Sequence, residues 1–158
     1  MQIHSAHGYL LSSFLSPARN KRTDNYSCSL QNRVRLLKEI FAAVRASVGA
    51  NFPISVKINS ADFQHGGFTE AEAVQVAQEL EALKVDLIEI SGGTAENIAF
   101  FRTRNKTGKT ITEGRVSTRA REGYFLEFVE NISKALKITP LMVTGGFRSG
   151  ECGNGICN

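Results

Sequence analysis

The alternation of strand-like and helix-like segments is the feature that most limits how this chain can fold. Short β-branched segments precede longer segments whose apolar residues lie three and four positions apart, and the unit recurs about every 35 to 50 residues. No two-residue hairpin signal separates the predicted strands. Such alternation favours parallel strands joined by right-handed crossovers, so we predict an α/β fold.

The pattern predicts the following elements. Strands are predicted at a stub around Ile3 and at residues 54–58, 85–90 and 141–144. Helices are predicted at residues 30–48, 70–83 and 125–136. Ser29 and Gly49 are suited to begin and end the first helix, and Thr69 and Glu72 have the spacing of a capping box. Residues 94–118 lack periodicity and are predicted to form a long loop.

Lys57 interrupts the β-branched residues of the second strand in this interpretation. A lysine inside a strand is costly unless its charge is used. A structural alternative is a side chain that extends along the apolar surface and keeps its ammonium group in water.

Composition limits the class of protein. The chain has 158 residues, of which 42% are apolar, and this fits one globular domain. The net charge of +4 is spread over scattered basic residues, which predicts no nucleic-acid partner and is compatible with an anionic cofactor. Three cysteines do not form a disulfide framework, so we expect a reducing compartment, the cytoplasm. No apolar run approaches about 18 residues, and we predict no membrane association.

The first fifteen residues contain the strongest candidate site, because His4, His7 and Tyr9 follow directly after an apolar strand residue. Functional groups of α/β proteins lie where strands give way to loops. Two histidines three apart can also lie in a structural turn or form half of a metal site. Zinc needs three or four ligands, His65 lies in a separate glycine-containing loop, and the cysteines show no paired spacing, so we predict no metal.

The pattern alone leaves two architectures open. A doubly wound sheet can be built from this number of strands, but the glycine fingerprint of dinucleotide-binding folds is absent. A closed barrel needs eight strands and typically about 250 residues.

Five short motifs carry a resemblance to a known family. They are HSAHGYLL at 4–11, FLSP at 14–17, N-x-R-T-D-x-Y at 20–26, NR at 32–33 and VTGGFR at 143–148. With them the sequence resembles the Old Yellow Enzyme family of FMN-dependent NAD(P)H oxidoreductases. The resemblance implies a partial (β/α)8 TIM barrel, about strands four to seven with their helices, in residues 1–149. Residues 150–158 resemble nothing in the family and form an unmatched tail.

The resemblance also implies roles for the candidate residues. His4 and His7 are expected to bind the oxygen of an α,β-unsaturated carbonyl or nitro substrate, and Tyr9 to deliver a proton to its α-carbon. Lys57 is expected to contact the N1/O2 edge of FMN. The family's reduced flavin supplies the hydride and is itself reduced by NADPH or NADH.

The turn after the last predicted strand is the second part of the expected cofactor site. Gly145, Gly146 and Phe147 match the turn whose backbone N–H groups hold FMN phosphate in the family. Arg148 either adds positive charge there or points into solvent.

Departures from the family pattern support an alternative function. The family has Tyr-Gly-Gly-Ser where this chain has Ser27 and Cys28 between Tyr26 and Ser29, and side chains in a positive-φ turn would cost about 1 to 2 kcal/mol each. The first three strands, the eighth strand and the second phosphate-binding segment of a whole barrel have no counterpart here. The alternative is therefore a non-catalytic fragment or pseudoenzyme that cannot hold FMN alone; the oligomeric state is left open.

Overall fold

The computed structural model describes residues 1–93 and 126–144. Its strands are β1 (Gln2–Ser5), β2 (Ser55–Asn59), β3 (Leu87–Ser91) and β4 (Leu141–Val143). Its helices are α1 (Leu10–Leu15), α2 (Leu30–Val48), α3 (Glu70–Ala82) and α4 (Leu126–Ala135). The predicted strands and helices are confirmed within a few residues, and α1 is an additional short helix. The predicted loop at 94–118 and the predicted turn at 145–148 lie outside the described residues.

The described sheet is parallel, with its strands in the order β1-β2-β3-β4. Each strand thus pairs with the next strand along the chain. The helices form one layer, because α2 contacts α3 and α3 contacts α4. A doubly wound sheet reverses its strand order and carries helices on both faces. Winding in one direction, with one helical layer, is instead typical of a barrel wall.

The two faces of the sheet differ in chemistry. The residues that face the helices are buried and apolar: Ile3, Val56, Ile58, Ile88 and Ile90. The opposite face carries a row of register partners, His4, Lys57 and Glu89, which we call the polar row. The prediction that Lys57 interrupts the strand pattern is wrong, because alternate strand residues point to opposite faces and Lys57 lies regularly on the polar one.

Local hydrogen bonds explain where the two long helices begin. The Ser29 hydroxyl oxygen accepts from the backbone N–H of Asn32 at 3.3 Å, so Ser29 caps α2 as predicted. Thr69 and Glu72 form the predicted capping box at the start of α3. Among the helices of the described residues, none is long and apolar enough to cross a membrane.

Cys28 lies in the left-handed backbone region, with φ of +70°, whereas Ser27 does not. A β-carbon at such a position is strained. We therefore expect Cys28→Gly to raise the free energy of unfolding by about 0.5 to 1 kcal/mol, after allowing for the greater freedom of glycine in the unfolded chain. Urea denaturation measures the change.

Ser27→Gly is the matched comparison for that substitution. Ser27 is buried, and its hydroxyl donates to the carbonyl oxygen of Asn20 at 3.4 Å. We expect this variant to be less stable than the parent protein. Equal effects of the two glycine substitutions would contradict backbone strain at Cys28.

Candidate active site

The carboxyl end of β1 brings three ring side chains together. The ring centroid of His4 lies 5.3 Å from that of His7 and 5.7 Å from that of Tyr9. Tyr9 is 59% exposed, and its side chain makes no capping hydrogen bond to α1, although Tyr9 occupies the N-cap position. The three predicted residues therefore form one cluster at the edge of the polar face, with the phenol accessible to a ligand.

His7 is held in an unusual backbone conformation. Its φ is +61°, and Gly8 follows with a φ of +77°. The backbone N–H of His7 donates to the side-chain oxygen of Asn59 at 3.0 Å, and its Nε2 lies 2.7 Å from the hydroxyl of Ser91. A left-handed conformation is costly for a residue with a side chain and persists where neighbouring contacts impose it. The ends of β2 and β3 thus position this histidine.

Asn59 is itself fixed by hydrogen bonds. Its side-chain nitrogen donates to the carbonyl oxygen of Gly93 at 2.8 Å and to Asp62 Oδ1 at 3.0 Å. The amide is 1% exposed. Because both its donor and acceptor sides are used, the orientation of the amide is determined, and Asn59 is a rigid anchor for the turn that carries His7.

Lys57 and Glu89 form an ion pair in the polar row. Lys57 Nζ lies 2.7 Å from Glu89 Oε1, and the side chains are 13% and 6% exposed. Glu89 also accepts hydrogen bonds from Gln2 and Thr144. Burial alone raises the pKa of Glu89, but the hydrogen bonds from Lys57, Thr144 and Gln2 together lower it. Glu89 is therefore ionised and holds the Lys57 ammonium in place.

Both histidines of the cluster are neutral at pH 7. Burial lowers the pKa of His4 and of His7 below 6.5, and the positive charge of Lys57 lowers both further. Glu89 opposes the effect in each case. A neutral imidazole has one N–H donor and one acceptor nitrogen. Burial, together with the Lys57 charge, thus keeps the histidines in the form that donates one hydrogen bond without carrying charge.

Removal of the Lys57 charge should shift the titration of both histidines. In Lys57→Met, the pKa of His4 and of His7 is expected to rise, because a nearby cation no longer disfavours the imidazolium. Glu89→Gln should lower both values instead, because an attractive charge is lost. Titration of the imidazole proton signals by NMR measures the shifts, and movement in the same direction in both variants would contradict this electrostatic assignment.

Lys57 keeps hydrogen-bonding capacity beyond its ion pair with Glu89. An ammonium group has three N–H donors, and Glu89 is the partner of Lys57 Nζ among the described residues, so donors remain for an oxygen or nitrogen of a ligand. Gly145, Gly146, Phe147 and Arg148, the predicted phosphate contacts, lie outside the described residues. Within residues 1–93 and 126–144, no group of histidine, cysteine, aspartate and glutamate side chains is arranged to hold a metal ion.

Three residues of the site were not predicted as functional: Asn59, Glu89 and Ser91. The sequence contains a pattern that could have identified Glu89 as a neighbour of Lys57. Lys57 and Glu89 each lie two positions before a polar residue that ends a strand. In a parallel sheet with matched ends, such positions become neighbours on one face. The pairing register needed to apply this rule is visible only in the folded structure.

Known proteins are similar to this chain over most of its length. The sequence model of the NADH:flavin oxidoreductase / NADH oxidase family matches residues 1–153. The chain is similar to the NADH-dependent flavin oxidoreductase nadA of Aspergillus parasiticus, with 38% identity over 149 residues, which are 94% of this chain and 32% of that protein.

Solved structures show a corresponding likeness. A 2-naphthoyl-CoA reductase in complex with 2-naphthoyl-CoA superimposes with a TM-score of 0.80 and 29% identity, over 98% of this chain and 21% of that chain. An Old Yellow Enzyme homologue from Zymomonas mobilis shares the fold, with a TM-score of 0.61 and 24% identity, over 93% of this chain and 36% of that one. The chain thus spans less than two fifths of each of these three proteins.

Proposed function

This chain belongs to the NADH:flavin oxidoreductase / NADH oxidase family, whose cofactors are FMN and a nicotinamide, and we propose that it carries the substrate side of a site that reduces activated C=C bonds. The substrates of this proposal are α,β-unsaturated carbonyl or nitro compounds. The reductant is NADH or NADPH. The four described strands correspond in this proposal to about strands four to seven of a (β/α)8 barrel.

The grouping of His4, His7 and Tyr9 beside the Lys57–Glu89 pair is the observation that carries the proposal. Two neutral imidazoles can donate N–H groups to one carbonyl or nitro oxygen. Negative charge develops on that oxygen as the conjugated bond is reduced, so the donors stabilise the transition state more than the substrate. By analogy with oxyanion holes, each donor contributes about 3 kcal/mol.

Tyr9 is the proton donor in this proposal. Bound reduced flavin supplies the hydride that adds to the β-carbon of the substrate. The phenol proton of Tyr9 goes to the α-carbon, which has become basic enough to accept it, and the C=C bond becomes a C–C single bond. The phenolate is then reprotonated from solvent, which the 59% exposure of Tyr9 permits.

Lys57 would hold the N1/O2 edge of the flavin ring. A fixed cation at that edge favours negative charge on the ring. Glu89 limits the movement of the ammonium group and keeps the site near neutrality before the cofactor binds. Gly145, Gly146 and Phe147 would hold the phosphate by their backbone N–H groups, and Arg148 would add positive charge.

Flavin absorbance of the purified protein is the direct test. The proposal predicts a yellow protein whose visible absorbance co-elutes with the chain in gel filtration and is bleached by NADH or NADPH under nitrogen. Addition of an enone should restore the absorbance. A colourless protein that gains no absorbance with added FMN would favour the alternative, a non-catalytic fragment. The unpaired edge of β1 in the described sheet is what favours that alternative.

A further inference from the structure

Ser91 joins the end of β3 to the ring of His7. The two residues are 84 positions apart in the sequence, and Ser91 is fully buried. Its hydroxyl oxygen lies 2.7 Å from His7 Nε2, and His7 is the partner of this hydroxyl among the described residues. The contact is therefore a tertiary one, made between the turn that follows β1 and the end of β3.

The burial of Ser91 limits how this hydrogen bond can be arranged. A neutral imidazole carries its proton on either Nε2 or Nδ1. If Nε2 carried the proton, the serine oxygen would accept, and the hydroxyl hydrogen would be left buried without an acceptor among the described residues. An unsatisfied buried donor is costly. If Nε2 accepts instead, the hydroxyl is satisfied and the imidazole proton lies on Nδ1.

We propose that Ser91 is a positioning residue that fixes His7 in the tautomer with its proton on Nδ1. His7 then donates through Nδ1–H and uses Nε2 as an acceptor from the protein. The role of that donor toward a substrate oxygen rests on the proposed function, whereas the tautomer itself does not. Asn59 completes the arrangement, since it holds the backbone N–H of the same residue at 3.0 Å.

The main experiment measures the tautomer of His7 in the protein without substrate. Histidine labelled with nitrogen-15 reports by NMR which ring nitrogen carries the proton, at a pH where the imidazole is neutral. The His7 signal is identified by its loss in a His7→Gln variant, which separates it from the signals of His4 and His65. We expect wild-type His7 to be protonated at Nδ1.

Variants of Ser91 give the decisive comparison. Ser91→Ala removes the hydrogen-bond donor, and we expect the ratio of the Nδ1–H to the Nε2–H form to fall by about fivefold, the effect of one net hydrogen bond. Ser91→Thr keeps a hydroxyl and should restore the wild-type ratio. Ser60→Ala is the matched control, because Ser60 is also a buried serine after a strand but its hydroxyl has no hydrogen-bond partner in the described part of the chain. Ser60→Ala should leave the ratio unchanged.

Two results would overturn the inference. One is wild-type His7 protonated at Nε2. The other is an equal change of the tautomer ratio in Ser91→Ala and Ser60→Ala, which would mean that loss of any buried serine disturbs the ring. In the flavin-loaded protein, Ser91→Ala should also raise the KM for an enone by about twofold, because KM rises only as the fraction of the Nδ1–H form falls, while flavin reduction by NADH is unchanged.

The tautomer measurement separates this inference from the proposed function. A Ser91-dependent tautomer in a protein that binds no flavin would support the positioning role and contradict the oxidoreductase proposal. Enone reduction by a protein whose His7 tautomer does not depend on Ser91 would support the oxidoreductase proposal and contradict the positioning role.

Discussion

Tyr9→Phe is expected to slow the reoxidation of reduced flavin by an enone by about 10²-fold to 10⁴-fold, the usual contribution of a positioned general acid. Reduction of the flavin by NADH should remain nearly unchanged, because that half-reaction needs no proton from the phenol. The substitution removes one oxygen from a side chain that is 59% exposed, so folding should be little affected. Stopped-flow absorbance of each half-reaction measures the two rates separately.

Tyr26→Phe is the matched control for Tyr9→Phe. The Tyr26 hydroxyl donates to Glu39 Oε2 at 3.0 Å, and the Tyr26 ring contacts Phe14 in an edge-on arrangement. Because the described contacts of Tyr26 are outside the histidine cluster, neither half-reaction should change. Equal losses in both half-reactions of Tyr9→Phe would count against its role as the proton donor.

Arg33→Met is expected to lower the free energy of unfolding by about 3 kcal/mol, the lower end of the cost of breaking a buried ion pair. The Arg33 side chain is 5% exposed and donates to the carboxylate of Glu72 and to the carbonyl oxygen of Leu15. Its Nε donates to the carbonyl oxygen of Cys28 at 3.3 Å. The Arg33 guanidinium thus links the end of α1 and the loop before α2 to the start of α3. Methionine would retain only the apolar volume of the side chain.

Urea denaturation of Arg33→Met measures this loss as a lower midpoint with an unchanged slope. Arg22→Met is the control, since Arg22 pairs with Asp24 on the surface and the two side chains are 51% and 46% exposed. Little or no change is expected there, because exposed ion pairs contribute little. Arg33→Met within about 0.5 kcal/mol of the parent protein would show that the buried network does not stabilise the fold.

Local patterns predicted much of the secondary structure. The caps at Ser29 and Thr69 depend on partners three residues away, Asn32 and Glu72, so a short stretch of sequence contains the whole interaction. Helix α1 was missed because a single short turn of six residues shows too little periodicity to identify. The prediction that Lys57 is out of pattern in its strand is wrong because the face to which a strand residue points depends on where the strand begins and what it pairs with.

The sequence by itself determined the alternation of strands and helices and the residues at which α2 and α3 begin. It also determined the motif that places His4, His7 and Tyr9 after a strand. Tertiary structure alone decided that Glu89 would neutralise Lys57 and that Ser91 would reach His7. Those contacts join residues 32 and 84 positions apart. They form because the parallel register places the strand ends side by side. The register itself is decided by the packing of whole strands and helices, and not by the residues that form these contacts.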